Sequence, residues 1–274
     1  QARAASTQRV RAAVGHSMAS AMAAVVPSLG VSGGKLYCTY PGGFSFVVAL
    51  FALDGTVLCT LDGDALTRVR TAAATALAAR HLAPAGVRTA ALLGTGRQSE
   101  WQARALAQEL DLEELRVWGR TPDRAEAVAA SVRADGIPAR AVTGADEAVA
   151  GAGVVVTVTS SYESLFSGSS LPADALVCGV GSTKADRREL DGDTVKRAQL
   201  IVSDSLEGAR VEAGDLVQAA AEGLIDLDDV VELGEVACGA VGRPSSGLVL
   251  FESQGIALED VVGAALAYRS WAES

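Results

Sequence analysis

The sequence is short of the residues on which several kinds of chemistry depend. It has two histidines, His16 and His81, and neither has neighbours suited to a zinc site or a Ser-His-Asp triad, both of which need a correctly placed imidazole. Its four cysteines, Cys38, Cys59, Cys178 and Cys238, are scattered, and none forms a CxxC pair. Each sits in an apolar run, the pattern of buried free thiols and not of a disulfide framework. A reduced, cytoplasmic setting is expected. Basic residues are outnumbered, 23 against 33 acidic, for a formal net charge of −10. Electrostatics therefore give no support to nucleic acid or an anionic membrane as partner. No apolar run reaches the length of a membrane span. Residues 18–31 are apolar and follow Arg9 and Arg11, but Pro27 and an Ala-rich, weakly hydrophobic character argue against a secretory leader.

What remains is a globular composition: 49% hydrophobic and 20% charged over 274 residues, enough for one or two domains. The Ala-rich residues 1–31 read as partly helical. Residues 35–40, 44–53 and 57–61 read as strands, bounded by Pro41-Gly42-Gly43 and Asp54-Gly55 turns. A helix is expected over 64–82, ended by Pro84 and Gly86. The pattern then changes. Short apolar strands at 89–93, 115–118, 138–142, 154–158, 175–180 and 200–203, the last clear one, alternate with helices at 98–110, 122–134 and 145–150. Such alternation implies a parallel, doubly wound sheet. The end, 258–271, reads as one amphipathic helix. The fold class expected is therefore α/β. A Rossmann-type parallel-sheet domain spans residues 84–251, and a discontinuous α+β dimerisation and substrate domain is made from 1–83 with 252–274.

The strongest local signal is Leu93-Gly94-Thr95-Gly96-Arg97-Gln98-Ser99 between a strand and a helix. Gly94 permits the tight turn and Gly96 a close backbone approach to a pyrophosphate at the helix N-terminus. Ser99 stands where a third glycine is usual, and the flanking strand and helix strengthen an otherwise weak GxGxxS. The next strand ends in Val117-Trp118-Gly119-Arg120-Thr121. An NAD site usually has an acid there for the ribose hydroxyls; here Arg120 can pair with a 2′-phosphate and Thr121 can donate to it. That favours NADP(H), with NAD possible. The alternative for Arg120 is an ordinary solvated arginine. Upstream, Lys35 opens an apolar strand and Arg70 begins a face of small residues. A Lys and an Arg converging on one cleft suit a carboxylate substrate, although each could be a surface charge.

Arg70-Thr71-Ala72-Ala73, Leu93-Gly94-Thr95-Gly96-Arg97-Gln98, Trp118-Gly119-Arg120-Thr121, Arg188-Glu189-Leu190-Asp191, Glu212-Ala213-Gly214-Asp215 and Phe251-Glu252-Ser253-Gln254-Gly255 through Glu259-Asp260 occur in one order. Together they resemble the ornithine cyclodeaminase / mu-crystallin family from Lys35 onward. The resemblance implies a Rossmann domain and a dimerisation domain built from both chain ends, hence a homodimer. It implies that Lys35 and Arg70 are substrate-site residues, that Arg70 grips an α-carboxylate, and that Thr71, Val180 and Ser253 lie near a nicotinamide. Gly94, Gly96, Arg97, Gln98, Arg120, Thr121 and Thr159 complete the cofactor set. A further family arginine near the start contacts the carboxylate, with Arg3 the nearest candidate.

Two departures bear on activity. Counting back from Arg188-Glu189-Leu190 puts Thr183 where the cyclodeaminase and alanine dehydrogenase branches carry an Asp. Cyclodeaminases also carry a Glu after an early Met-Pro pair, whereas Met18 is followed here by Ala19-Ser20-Ala21. Cyclodeamination needs a carboxylate base to activate the internal amine, and a Thr hydroxyl is too weak. Reduction of a preformed imine needs only hydride and a carboxylate clamp. The sequence thus favours an NADPH-dependent ketimine or imine reductase of a small cyclic or open α-imino acid, such as a cyclic proline or pipecolate precursor, with Lys35, Arg70 and Thr183 at the reacting end and a small-molecule amino/imino acid as partner. The alternatives are ornithine cyclodeaminase, with Asp186 supplying the carboxylate after a register shift, an amino-acid dehydrogenase, and a non-catalytic NADPH-binding protein.

Overall fold

A computed structural model describes residues 4–274. The chain forms two compact units, Gln1–Thr71 with Gly255–Ser274, and Ala72–Gln254.

The first unit is an antiparallel sheet with a helix on one face. Its strands are β1 (Ala5–Ser6), β2 (Val10–Val14), β3 (Ser17–Val26), β4 (Val31–Tyr40), β5 (Gly43–Ala52) and β6 (Val57–Asp62), in the order β1-β3-β4-β5-β6 with β2 also on β3. The Ala-rich start is therefore strand, not the helix its composition suggests. Alanine favours helix when nothing else decides, but propensity is a weak prior. In β3 the buried residues are Ser20, Met22, Ala24 and Val26, a period of two that only a strand can place on one face. Pairing with β4 from Met18↔Thr39 to Val26↔Val31 completes the ladder. The same face of β4 and β5 supplies Val31, Val48 and Leu50, and Ala257, Val261, Ala264 and Ala265 of the C-terminal helix close over it. Close approach of that helix needs Gly33, where a Cβ would meet the Ala49 carbonyl and lie 3.3 Å from Val261. On the opposite face Val10, Ala21, Leu36 and Val47 stand in one row across four strands, and Val10, Leu36 and Val47 are exposed.

Helix α1 (Gly63–Leu82) starts in the first unit and continues into the second. The second unit then runs β7 (Thr89–Leu93), α2 (Ser99–Glu109), β8 (Glu114–Trp118), α3 (Pro122–Ala134), β9 (Ala139–Ala141), α4 (Ala145–Val149), β10 (Val154–Thr157), β11 (Leu176–Gly179), α5 (Gly192–Arg197), β12 (Ala198–Ser203), α6 (Leu206–Val211), α7 (Gly214–Ala221), β13 (Val231–Glu232), α8 (Leu233–Ala237) and β14 (Leu248–Glu252). The C-terminal helix, α9 (Ala257–Ala272), belongs to the first unit. All eight strands of the second sheet are parallel, in the order β13-β12-β14-β11-β10-β7-β8-β9. The order reverses between β7 and β10, which makes their carboxyl ends the crevice where such sheets take ligands. This is the doubly wound α/β architecture that the alternation of elements implied.

Two details differ from the sequence reading. Residues 200–203 do not hold the last strand; β14 follows and is inserted between β11 and β12, with all five residues buried. Its apolar run is too short to announce itself by periodicity. Of the cysteines only Cys178 is buried, while Cys59 is intermediate and Cys38 and Cys238 are exposed. Cys38 lies in a two-sided strand whose even positions face outward, so an apolar neighbourhood in sequence did not make it a core residue.

Because β14 is central, Phe251, which is wholly buried, should behave as a core residue. Phe251→Ala is expected to destabilise the second unit by about 3–5 kcal/mol, read by urea denaturation. A loss below about 1 kcal/mol would mean that β14 is peripheral.

Candidate active site

The residues singled out in the sequence fall into two sets, one in each unit. In the second unit they line the carboxyl ends of five adjacent strands. β7 ends at Gly94, whose φ of 134° is left to glycine. Its missing side chain matters too, since a Cβ would lie 2.5 Å from the Val158 carbonyl oxygen. Gly94 N–H donates to Trp118 O at 2.9 Å, tying the turn to the end of β8. Gly96 is the reverse case: it is exposed, and a Cβ there would meet nothing within 4 Å. A buried first glycine and an open second one, followed by the eleven-residue helix α2, fit the approach of a dinucleotide pyrophosphate to a helix N-terminus. Arg97 is exposed and Gln98 half-buried at that turn. Gly119 lets Thr95 pack against the neighbouring strand end, since a Cβ would lie 2.5 Å from Thr95 Cγ2. Just beyond it Arg120 and Thr121 are exposed. Thr121 caps α3 with its backbone and makes no side-chain capping bond.

On the other side of β7, Thr159 follows β10. Val180 continues from β11 and donates its N–H to Thr157 O at 2.8 Å. Ser253 follows β14, donating N–H to Gly179 O at 2.9 Å and Oγ–H to Asp204 Oδ2 at 3.1 Å. Thr183 lies in the loop after β11, half-buried, with its N–H on Gly181 O at 2.9 Å. Asp186, the acid that a register shift would recruit, is exposed.

The sequence reading gave no role to the carboxyls beneath these turns. Glu189 accepts from Thr159 N at 2.5 Å, Gly181 N at 2.8 Å and Thr157 Oγ1 at 2.9 Å. One buried side chain thus ties the turns after β10 and β11. Asp215 Oδ1 accepts from the N–H groups of Glu189 and Leu190 at 2.8 and 2.9 Å. Glu252 is wholly buried, and neither of its oxygens has a hydrogen-bond partner. Burial pushes Asp215 up to about 7 and raises Glu189. It raises Glu252 well above the ordinary carboxyl range, with Asp215 and Glu189 adding to the effect. A carboxyl so placed keeps its proton.

The first unit holds Lys35 and Arg70. Lys35 is on the inner face of β4 and only 3% exposed. Its Nζ donates to Thr67 Oγ1 at 2.6 Å and to Asp260 Oδ1 at 3.3 Å. Arg70, one turn beyond Thr67 on α1, donates from Nε to the same Asp260 Oδ1 at 3.2 Å and from Nη1 to Glu259 Oε2 at 2.9 Å. The chain passes close to the guanidinium at Gly255, with φ of 74°, where any Cβ would collide with Arg70 Nη1. Thr71 is buried on the next position of α1. Arg9 Nη2 donates to Gly255 O at 2.9 Å, and its charge also bears on Lys35. The Lys35 pKa falls to about 8, first through burial, then through Arg70, with Asp260 opposing and Arg9 adding a smaller depression. Asp260 thus receives two cations on one oxygen, and the Arg9 charge acts on Lys35 from nearby. Cations gathered in a buried place are groups that an anionic ligand can pair with.

The structure therefore brings Lys35 and Arg70 onto one carboxylate, and Gly94, Gly96, Arg97, Gln98, Arg120, Thr121, Thr159, Val180 and Ser253 onto one sheet edge together with Thr183. Arg3 lies outside the described residues; Arg9 is the N-terminal arginine whose charge acts on Lys35. Asp260, Glu259, Thr67 and Arg9 were missed as site residues. The signal for Asp260 was an acid inside the apolar stretch Ala257-Leu258-Glu259-Asp260-Val261-Val262. Among the described residues no group of three His, Cys, Asp or Glu could hold a metal ion, and no helix is long and apolar enough to cross a membrane.

The sequence profile of the ornithine cyclodeaminase/mu-crystallin family matches residues 18–274. The ketimine reductase mu-crystallin of Rattus norvegicus is 37% identical over 218 residues, 80% of this chain and 66% of that protein. The chain thus spans just under two thirds of that relative's length. The Delta(1)-pyrroline-2-carboxylate reductase of Bacillus cereus is 33% identical over 223 residues, 80% of this chain and 68% of that protein. A solved structure of the Thermococcus litoralis Delta(1)-pyrroline-2-carboxylate reductase, in complex with NADH and L-proline, superposes with a TM-score of 0.94. It is 27% identical, over 98% of this chain and 88% of that one. This chain belongs to the ornithine cyclodeaminase/mu-crystallin family.

Proposed function

We propose that the chain is an NADPH-dependent imine reductase acting on an α-imino acid, with Lys35, Arg70 and Thr183 at the reacting end. The observation that carries the reading is the buried pair Lys35 and Arg70, gathered on one oxygen of Asp260. Such a pair can hold a substrate carboxylate and fix the imine carbon in line for reduction. The Gly94–Gly96 turn would hold the pyrophosphate of a reduced dinucleotide, whose nicotinamide would supply hydride. Thr183 offers a neutral hydrogen bond and cannot act as the carboxylate base that cyclodeamination needs. The rat and Bacillus relatives, named as ketimine and pyrroline-carboxylate reductases, support reductive chemistry over the lyase. Arg120 and Thr121, exposed at the end of β8 with no acid beside them, support NADP(H) as the preferred cofactor, although the Thermococcus neighbour carries NADH. The exposed apolar row Val10, Leu36 and Val47 supports a homodimer joined through the outer face of the first unit's sheet.

NADPH is expected to bind more tightly than NADH, and Arg120→Ala to remove most of the difference. Titration of both cofactors against intrinsic fluorescence checks this, and equal affinities in the parent protein would overturn it.

Sedimentation should show a dimer at micromolar concentration. A stable monomer would remove the interface, and Leu36→Asp is expected to produce one.

With a cyclic imino acid and NADPH, Arg70→Ala and Lys35→Ala should each lose roughly a hundredfold or more in kcat/KM, as loss of a charged clamp does. Thr183→Ala should lose only several-fold, about 1 kcal/mol. Lys35 binds the carboxylate as a cation, so kcat/KM should fall as pH rises through about 8, and this step should be missing from Lys35→Met. Catalytic release of ammonia from ornithine would favour the lyase, and a Thr183→Ala variant more damaged than Arg70→Ala would give the hydroxyl a proton-transfer role.

A further inference from the structure

The face of the first sheet that carries Lys35 continues past it as a ladder of aromatic rings. The chain has five Phe, four Tyr and three Trp in all, and Tyr37, Phe46 and Phe44 stand together on this face. The register sets Tyr37 opposite Phe46 and Thr39 opposite Phe44. The Tyr37 and Phe46 ring centroids are 5.5 Å apart, and those of Phe46 and Phe44 are 5.9 Å apart. The ladder begins at the cation: Lys35 Nζ lies 4.7 Å from the Phe46 centroid and 5.7 Å from that of Tyr37.

These rings are not part of the unit's core. The apolar cluster between sheet and helix reaches Val48 and Leu50 and stops there, without Tyr37, Phe44 or Phe46. Exposure grows outward along the ladder, from buried Lys35 through half-buried Tyr37 and Phe46 to Phe44 at 50%. Nor does the hairpin itself cover them. Tyr40 pairs with Gly43, so only Pro41 and Gly42 connect the strands, with Gly42 at φ 99°. Apolar rings left wet beside a buried, electron-poor group are what a ligand with one charged and one aromatic end would cover.

We propose that Tyr37, Phe46 and Phe44 form the subsite for the substrate's side chain, and that the preferred substrate is an open α-imino acid with an aryl side chain. The proposal rests on the reading of Lys35 and Arg70 as the carboxylate clamp. With the carboxylate on those cations, an aryl group on the β-carbon reaches Phe46 and Tyr37 and stacks in offset or edge-to-face geometry. A small aliphatic or cyclic imine leaves the rings wet. In the reaction the C=N carbon accepts a hydride and the nitrogen a proton, while NADPH is oxidised to NADP⁺.

The test compares phenylpyruvate with pyruvate. Calorimetry of each 2-oxo acid on the intact chain reads the subsite directly. Each acid with methylamine, condensing with loss of water to the N-methyl imine, reads turnover through NADPH absorbance. Phenylpyruvate should bind about tenfold more tightly or better than pyruvate, and kcat/KM should follow the same preference. Phe46→Ala should reduce the preference to near parity, Phe46→Leu should keep part of it, and half-exposed Phe44→Ala should lower it less. Circular dichroism confirms that each variant folds; if Phe46→Ala does not, Phe46→Leu and Phe44→Ala decide. Equal affinities for the two acids, no binding of either, or a preference unchanged in the ring variants would overturn the subsite. A binding preference without NADPH oxidation for either imine leaves the subsite standing and removes the reductase reading. Reduction of both imines with no preference does the opposite.

Discussion

The first unit is organised around one carboxylate. Asp260 is fully buried, and a single oxygen of it receives both Lys35 and Arg70. Three elements must therefore meet at a fixed spacing: β4 carries the lysine, α1 the arginine and α9 the acid. Two glycines of this unit serve that meeting. Gly33 lets α9 approach the sheet, and Gly255 lets the chain turn past the guanidinium. Two cations cannot be buried side by side without a counter-charge, because each would lose its hydration and repel the other. One carboxylate shared between them, with Glu259 also on Arg70, makes the burial tolerable, and the Lys35 pKa still falls to about 8, first through burial and then through the Arg70 charge.

The second unit makes the opposite arrangement. Glu189, Asp215 and Glu252 are buried, and burial raises their pKa values, with neighbouring carboxyls adding to the rise at Asp215 and Glu252. Two of the three are tied down by backbone amides. Through Glu189 those bonds hold the turns after β10 and β11, the strand ends on which Thr159 and Val180 stand. Glu252 has no such bond, so it is stable there only as the neutral acid. A carboxylate in an apolar strand is costly, a protonated one much less so.

How much of this could be read from the sequence depends on the range of the interaction concerned. The alternating strands and helices from Thr89 onward were legible because each helix or strand declares itself within a dozen residues. The Gly94 turn was legible because a glycine pair between strand and helix has a local meaning. The N-terminal strands were not, since alanine is nearly silent about which face is buried, and β3 is decided by its neighbour β4. β14 was missed because four apolar residues and a glutamate fit a core strand or a helix equally well. Lys35 and Arg70 stood out as cations in apolar or small-residue surroundings. Asp260, which makes sense of both, lies 225 and 190 positions away in the chain, and an acid in the first turn of a helix reads locally as a favourable end charge. Glu189 is less legible still: its partners are mainly backbone N–H groups, and these leave no trace in side-chain pattern.

Both buried clusters carry a desolvation cost, which the ion pairs on Asp260 and the backbone hydrogen bonds to Glu189 and Asp215 offset in part. Replacing buried ion pairs by apolar groups is often neutral or stabilising. Groups kept at such a cost are the ones whose chemistry is in use, and they concentrate where perturbed pKa values are expected, at functional sites. The sign of the charge divides the labour. Around Lys35 two cations share one carboxylate oxygen. Under the strand ends burial raises the pKa of all three acids, so negative charge is held down there, at Glu252 most of all. The two clusters thus differ in sign: cations gathered on carboxylates in the first unit, acids pressed toward their neutral form in the second.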